Sequence, residues 1–254
     1  MQGDCLELLK TIDDEAVNLI IADPPYNVYE RAVSKMPYQR RKKDIDWDQY
    51  DDDFINYSFK WINLSLKKLK ENGSFFIFGG INYLKGNDLL SLLPFLRKRL
   101  EFINLIIWNY PNGFGARRFF SNRYELIAWF SKSRNYHFDL DAVRIKFDND
   151  TLQEYLKDKR LNPENVKKGK NPSNVWKINR INANAKERLN HPTQKPEVII
   201  KRIILATTKE GDMVLDPFLG SGTTTKVCQT LNRNCIGFEI NPEYVEMSRM
   251  RLTS

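Results

Sequence analysis

The chain has 254 residues, 41% hydrophobic and 28% charged, which is enough apolar material for one α/β domain with an insertion or for two small domains. Lys and Arg number 40 against 32 Asp and Glu, a formal charge of +8 that suggests a polyanionic partner without establishing one. The longest apolar runs, such as Ile103 to Trp108 broken by Asn104, are far shorter than a membrane span, and MQGDCLELLK lacks the charged start and apolar stretch of a secretion signal, so a soluble cytoplasmic protein is expected.

Apolar periodicity alternates between strands and helices, the pattern of an α/β fold with a mostly parallel sheet. "VNLIIAD" (17–23) reads as a buried strand that runs into "DPPY" (23–26). The segment 29–53 carries "RRKK" (40–43) and then "DIDWDQYDDD" (44–53) without an apolar period; placed directly after the acidic motif, it reads either as a mobile loop over an active site or as plain surface. Phe54, Tyr57, Trp61, Leu64 and Leu69, at roughly helical spacing, predict an amphipathic helix over 53–70 closed by Asn72-Gly73. "SFFIFGG" (74–80) is a second buried strand, a helix follows over 83–99 despite Pro94, and strands are expected at 103–108 and 124–130.

The pattern then breaks. Residues 131–190 hold 14 Lys and Arg against 8 Asp and Glu, so most of the positive excess sits in less than a quarter of the chain, with no strong period. That segment reads as a solvated insertion or as a variable recognition segment for nucleic acid. Alternation returns after His191 with a helix over 195–208, a strand at 212–217, a helix over 223–231, a strand at 235–240 and a closing helix from 242. Cys5, Cys228 and Cys235 lack the paired spacing of a zinc site, and His137 and His191 are too few to complete one, so no metal is expected and the cysteines read as reduced core residues.

"VLDPFLGSGTTTKVC" (214–228) has the layout of a nucleotide-cofactor turn: a strand ends in Asp216, and Gly220 and Gly222 stand where a ligand can approach the backbone before a helix begins. Thr225 occupies the place of the third glycine of the dinucleotide fingerprint and no Gly-Lys-Ser/Thr is present, which disfavours NAD and ATP. Glu239, 23 residues after Asp216 and at the end of the next strand, stands where doubly wound folds place an acid that accepts hydrogen bonds from ribose hydroxyls. An adenosine cofactor without phosphates, S-adenosylmethionine, fits this combination better than a dinucleotide.

"DPPY" (23–26), "HPTQKP" (191–196) and "DPFLGSGTT" (216–224), in that order, resemble the amino-methyltransferases of DNA, in the permuted beta group whose catalytic motif precedes its cofactor motif. The resemblance covers nearly all of the chain except the insertion. It implies a Rossmann-like, doubly wound, mostly parallel sheet of the class I methyltransferase type, with 1–130 and 191–254 forming one catalytic domain and 131–190 a target-recognition insertion. Asp23, Pro24, Pro25 and Tyr26 match the catalytic tetrapeptide. Asp216, Phe218, Gly220, Ser221, Gly222 and Thr223 match the cofactor loop, Glu239 the ribose acid, Thr193 and Lys195 the segment near the cofactor's methionine part, and Asp4 in "GDCLELL" the acid that reads its adenine. The family has a strand just before that "GD", whereas Met1 stands two residues earlier, so the strand is expected to be shortened or absent, as in a truncated chain or one with a misassigned start.

The chemistry explains the tetrapeptide. An exocyclic amino nitrogen is a poor nucleophile because its lone pair is delocalised into the ring. The Asp23 carboxylate and the Pro24 carbonyl would each accept one N–H and aim the lone pair at the sulfonium methyl. Pro24 and Pro25 fix the backbone, and Tyr26 offers a flat face to a base extruded from the duplex. Transfer is then a direct displacement that needs no catalytic cysteine. In the resembling family an aspartate at the head of the tetrapeptide accompanies adenine and a serine cytosine, so Asp23 points to the adenine 6-amino group, with the cytosine 4-amino group as the alternative. Methylation of RNA or protein, or a non-catalytic DNA-binding module, are rival readings; a dehydrogenase fails on the missing glycine.

Contacts to double-stranded DNA are expected from Arg117, Arg118 and Arg123 in "NGFGARRFFSNR" (112–123), from Lys167, Lys168 and Lys170 in "KKGK" (167–170), and from Lys177 and Arg180 in "KINRINANAKER" (177–188). Such an enzyme works either beside a cognate restriction endonuclease or as a solitary genome methylase, and as a monomer or a homodimer.

Overall fold

The computed structural model describes residues 1–25, 54–80, 88–111, 117, 120–182 and 184–253. The segment 29–53 and the part of the expected helix before residue 88 lie outside them. Seven strands, β1 (Val17–Ala22), β2 (Leu69–Gly79), β3 (Glu101–Asn109), β4 (Tyr124–Ser131), β5 (Val175–Lys177), β6 (Met213–Asp216) and β7 (Asn234–Gly237), form one sheet in the order β5-β3-β4-β2-β1-β6-β7. β1 is parallel to β2 and β6, β6 to β7, and β3 to β5, while β4 runs antiparallel to both β2 and β3. The described helices are α1 (Cys5–Leu8), α2 (Phe54–Lys68), α3 (Leu89–Arg97), α4 (Asn149–Lys157), α5 (Pro163–Lys168), α6 (Glu197–Thr207), α7 (Thr223–Thr230) and α8 (Pro242–Thr253).

The central strands carry long apolar runs, Leu19–Ala22, Phe75–Phe78 and Leu126–Phe130, because both of their faces are covered there. Ile20 and Ala22 of β1, Phe75 and Ile77 of β2, and Ala128 and Phe130 of β4 join α2 and α3 in one core. Their neighbours Leu19, Ile21, Phe76, Phe78, Ile127 and Trp129 point the other way, against Ile199, Ile200, Ile203 and Ile204 of α6 and Val227 and Cys228 of α7. Each Val, Leu, Ile or Phe among them, fully buried, is worth roughly 1.5–3 kcal/mol. From β1 the chain passes to β2, and from β6 to β7 in the opposite direction along the sheet. The crevice beyond the C-terminal ends of β1 and β6 is therefore the switch point at which doubly wound folds bind ligands.

Several boundaries differ from expectation. α2 stops at Lys68, whose ammonium meets Asp14 at 2.6 Å, and β2 begins at Leu69 rather than after Gly73. Leu69 pairs with Val17, and the register then jumps to Leu19 with Ser74, so the expected turn at Asn72-Gly73 is an irregularity inside a longer strand. The strand expected at 235–240 ends at Gly237, and that at 212–217 at Asp216. The shortened N-terminal strand is a single parallel bridge: Gln2 lies beside Glu239, whose N–H donates to the Met1 carbonyl while the Gly3 N–H donates to the Glu239 carbonyl.

The 131–190 segment contains α4, α5 and β5. Its helices are short and lightly packed, since α4 buries no residue and α5 buries Val166, so the helical spacing of Leu152, Tyr155 and Leu156 in α4 covers too few residues to stand out in the sequence. Asp148 and Asn162 cap them, accepting backbone N–H groups of the first turn, and Pro163 opens α5. β5 adds an edge strand to the sheet, anchored by the buried Trp176, over whose ring the Arg202 guanidinium sits at 4.8 Å.

Candidate functional site

One cleft opens at the switch point. Asp4, Asp23, Pro25, Thr193, Lys195, Asp216, Phe218, Gly220, Ser221, Thr223 and Glu239 line it, so residues from all three motifs and from the N-terminus meet there; Pro24 and Gly222 are adjacent in the chain but do not line it. Asp23 follows β1 directly, and Pro24 is buried beside it. Tyr26 lies outside the described residues. Lys195, just before α6, places its ammonium 2.7 Å from Asp23 Oδ2 and 3.2 Å from Glu125 Oε1 on β4. Burial pulls the Lys195 pKa down, but the two carboxylates outweigh it and hold the ammonium above its ordinary value.

The glycine turn is built by backbone geometry. Gly220 and Gly222 have φ of +51° and +76°, in the left-handed region that glycine adopts without strain. A Cβ at Gly220 would lie 2.9 Å from His191 Nε2, so the "HPTQKP" segment sits directly on this turn. The Thr223 hydroxyl donates to the Lys195 carbonyl at 3.2 Å, a second stitch between the two motifs. Glu239 receives the Gly220 N–H on Oε2 and the Asn241 N–H on Oε1, each at 2.8 Å; burial nevertheless keeps its pKa above the ordinary value. The Phe218 N–H donates to Asp216 Oδ1 at 3.0 Å, and its ring meets Trp61 edge-on. Burial pushes the Asp216 carboxyl up to about 7. Asp4 caps α1, accepting the Leu6 N–H at 2.7 Å.

His191 is buried against Tyr244, and burial pushes it down to about 4 although Asp23 opposes the shift, so it is neutral near pH 7. Cys5 touches the Tyr57 hydroxyl at 3.2 Å and burial pushes its thiol up to about 12. Cys228 is buried and Cys235 half-buried.

The basic residues singled out for DNA divide into two groups. Lys177, paired with Asn109, stands at the C-terminal end of β5, on the cleft edge of the sheet. Arg180 stacks on the Tyr110 ring at 3.8 Å and donates to its hydroxyl. Arg123 donates to the Pro111 carbonyl, Arg117 is exposed, and Arg118 lies outside the described residues. Lys167 and Lys168 pair with Glu164 and Asp141, and Lys170 lies 5.8 Å from the Phe147 ring centre. Asp141 opens a 3-10 turn that packs near Ala206, at the end of α6 away from Lys195.

Two residues of the site were not anticipated. Glu125 is the charged residue of an otherwise uncharged strand, which is the signal that could have marked it. Arg251 lies on the buried stripe of α8 with Tyr244, Val245 and Ser248, and its guanidinium meets Thr223 Oγ1 at 3.0 Å and Glu197 Oε1 at 2.7 Å.

The chain is similar to known DNA methyltransferases. The chain is 35% identical over 259 residues to the Type II methyltransferase M.HpaI of Haemophilus parainfluenzae, covering 99% of this chain and 73% of that protein. It is also 35% identical over 254 residues to the DNA adenine methyltransferase YhdJ of Escherichia coli, covering 99% and 81%. Among solved structures, PvuII DNA methyltransferase (cytosine-N4-specific) superposes with a TM-score of 0.69 at 22% identity over 98% of this chain and 84% of that one, and the M1.HpyAVI–SAM complex with 0.63 at 24% over 100% and 98%; these show the shared class I methyltransferase fold. The family model for DNA methylases (N6_N4_Mtase) matches residues 17–250, and the chain belongs to that family of DNA amino-methyltransferases.

Proposed function

We propose that the chain methylates the 6-amino group of adenine in double-stranded DNA, using S-adenosylmethionine. The observation that carries this reading is the meeting of Asp23 with Glu239 and the left-handed Gly220 turn in one cleft at the switch point. The lining also fits the cofactor's charge. Asp4, Asp23, Asp216 and Glu239 are all acidic, and Lys195 is engaged with Asp23 and Glu125, an arrangement that suits a cationic ligand and opposes phosphates. Both Glu239 oxygens take one backbone N–H and each retains a lone pair for a ribose hydroxyl. Asp4 would lie at the adenine end, and Asp216, Phe218, Ser221, Gly222 and Thr223 would shape the turn that holds the cofactor, with Thr193 at its methionine end.

When bound, S-adenosylmethionine supplies a methyl group whose bond to sulfur breaks as the bond to the amino nitrogen forms, the electron pair staying on sulfur and one amino proton leaving to water. Asp23 and the Pro24 carbonyl accept the two amino N–H groups and so localise the nitrogen lone pair. Pro25 stiffens that backbone, and Tyr26 stacks on the extruded base. An aspartate at the head of the tetrapeptide, and a relative named as an adenine methyltransferase, support adenine over cytosine. Residues 1–130 and 191–254 act as the catalytic domain and 131–190 as the target-recognition segment. Arg117, Arg118, Arg123, Lys177 and Arg180 contact DNA near the reacting base, and Lys167, Lys168 and Lys170 contact it farther away. The Type II relatives support a restriction-modification setting with a cognate endonuclease.

Nucleoside mass spectrometry of unmethylated DNA incubated with the protein and S-adenosylmethionine tests the reading. N6-methyladenine is expected, with an Asp23→Ala variant slower by about 100-fold or more. N4-methylcytosine would overturn the base assignment, and cofactor binding without transfer to DNA would overturn the acceptor.

A further inference from the structure

We propose that Glu125 is a positioning residue for methyl transfer, holding the Lys195 ammonium, and through it the Asp23 carboxylate, at the reacting edge of the sheet. The inference rests on the methyltransferase reading above. β4 runs antiparallel to its neighbours β2 and β3, so its first residues, unlike theirs, reach the edge where β1 ends. Glu125, the second residue of β4, thereby meets Lys195 at 3.2 Å while Lys195 meets Asp23 at 2.7 Å. The three side chains are 14%, 8% and 21% exposed, respectively, so little water competes for the contacts. The backbone beside Glu125 is itself pinned: the Tyr110 hydroxyl donates to the Tyr124 carbonyl at 3.0 Å, and Arg180 stacks on the Tyr110 ring and donates to the same hydroxyl.

The charge balance gives this arrangement a consequence for the reaction. Lys195 and Asp23 alone would be neutral. Glu125 leaves these three described side chains with one net negative charge, the complement of the single positive charge that passes from sulfur to the base nitrogen. It also shares the ammonium, so that Asp23 is oriented by Lys195 without being wholly claimed by it. Among the described residues, the charged and titratable groups facing the ammonium are Asp23 after β1, Glu125 on β4, Tyr110 after β3 and His191 before α6.

A double-mutant cycle of Glu125→Gln and Lys195→Gln, with Glu125→Asp as the conservative control, tests the proposal. Single-turnover transfer to unmethylated DNA, cofactor affinity of the free protein and its thermal unfolding are measured for each. Glu125→Gln is expected to slow transfer by about 10- to 100-fold with cofactor affinity within about threefold of the parent, and Glu125→Asp to recover part of the rate. Having lost one of the two carboxylates that raise it, Lys195 deprotonates at lower pH, so the alkaline limb of the rate profile moves down. In the Lys195→Gln background, Glu125→Gln is expected to cost less than about twofold more, and the two changes to shift thermal unfolding non-additively. A rate for Glu125→Gln close to the parent's, or the same loss repeated in the Lys195→Gln background, would overturn the proposal. So would a parallel collapse of cofactor affinity and unfolding temperature in both Glu125 variants, which would make Glu125 a packing residue. A parent protein that transfers no methyl group to DNA would instead refute the methyltransferase reading itself.

Discussion

Replacing Arg251 with Met should loosen the glycine turn at Gly220–Thr223 that Arg251 holds. Arg251, 6% exposed, joins three stretches of chain through its guanidinium: Glu197 at the start of α6, Glu187 in the 131–190 segment, and the Ser221 to Thr223 turn, where it donates to the Ser221 carbonyl at 3.3 Å and to Thr223 Oγ1 at 3.0 Å. Methionine fills the volume of the stem but supplies none of these bonds. Breaking a fully buried ion pair costs about 3–5 kcal/mol, and a lost neutral hydrogen bond about 1 kcal/mol. The Glu197 side chain is 40% exposed and will be rehydrated, which brings the expected loss to about 2–3 kcal/mol. For a chain of this size each kcal/mol moves Tm by roughly 2–4 °C, so a fall of about 4–12 °C is expected, together with a several-fold weaker affinity for S-adenosylmethionine. Arg251→Lys keeps the charge but not the fork and should fall between the two. Thermal unfolding and titration calorimetry measure both effects. A Tm within about 1 °C of the parent, with affinity unchanged, would refute the idea that this guanidinium supports the turn.

Gly222→Ala should destabilise the protein by about 2–4 kcal/mol, because φ is +76° and the new Cβ would lie 2.6 Å from Ser248 Cβ and 2.9 Å from its Cα, a clash no rotamer relieves; chemical denaturation is the check, and a loss below about 1 kcal/mol would mean that α8 moves freely. Asp216, raised to about 7 by burial, favours the folded free protein fully below the unfolded carboxyl value near 4, and that contribution is lost as pH rises to 7; His191, depressed to about 4, has the opposite slope between 4 and 6.5. A cationic cofactor favours ionised Asp216, so its affinity should rise as pH climbs through 7, and at pH 6.5 binding should release up to about three-quarters of a proton; calorimetry in two buffers of different ionisation heat would contradict this by showing proton uptake.

What the sequence discloses depends on how local each feature is. Asp23, Asp216 and Glu239 each stand at or just past a strand end, and a parallel sheet brings the ends of β1, β6 and β7 to one edge, so a short motif at each end was enough to place the cleft. β5 was illegible because three residues with one buried side chain carry no period. The early start of β2 was hidden by Asn72-Gly73, a turn signal that the sheet overrode when Leu69 paired with Val17. Glu125 and Arg251 carry no motif. Their partners are brought to them only by the fold, and the one local sign of either is a charge placed where neighbouring residues are buried.

The distribution of charge reconciles two demands that conflict on a single surface. A duplex calls for positive charge, of which the chain carries a formal excess of +8, whereas a sulfonium calls for negative charge. At physiological salt, exposed charges are screened beyond about 8 Å, while groups in a dry cleft still act on one another. Asp4, Asp23, Glu125, Asp216 and Glu239 are buried or half-buried around the switch point, so their field is felt chiefly by what enters the cleft. Lys177, Arg117 and much of the basic excess of 131–190 are exposed and screened, and so able to meet phosphates without drawing them inside. Among the described residues that line the cleft, Lys195 is the cation that crosses this division, and its carboxylate partners Asp23 and Glu125 are what keep it from making the cleft a phosphate site.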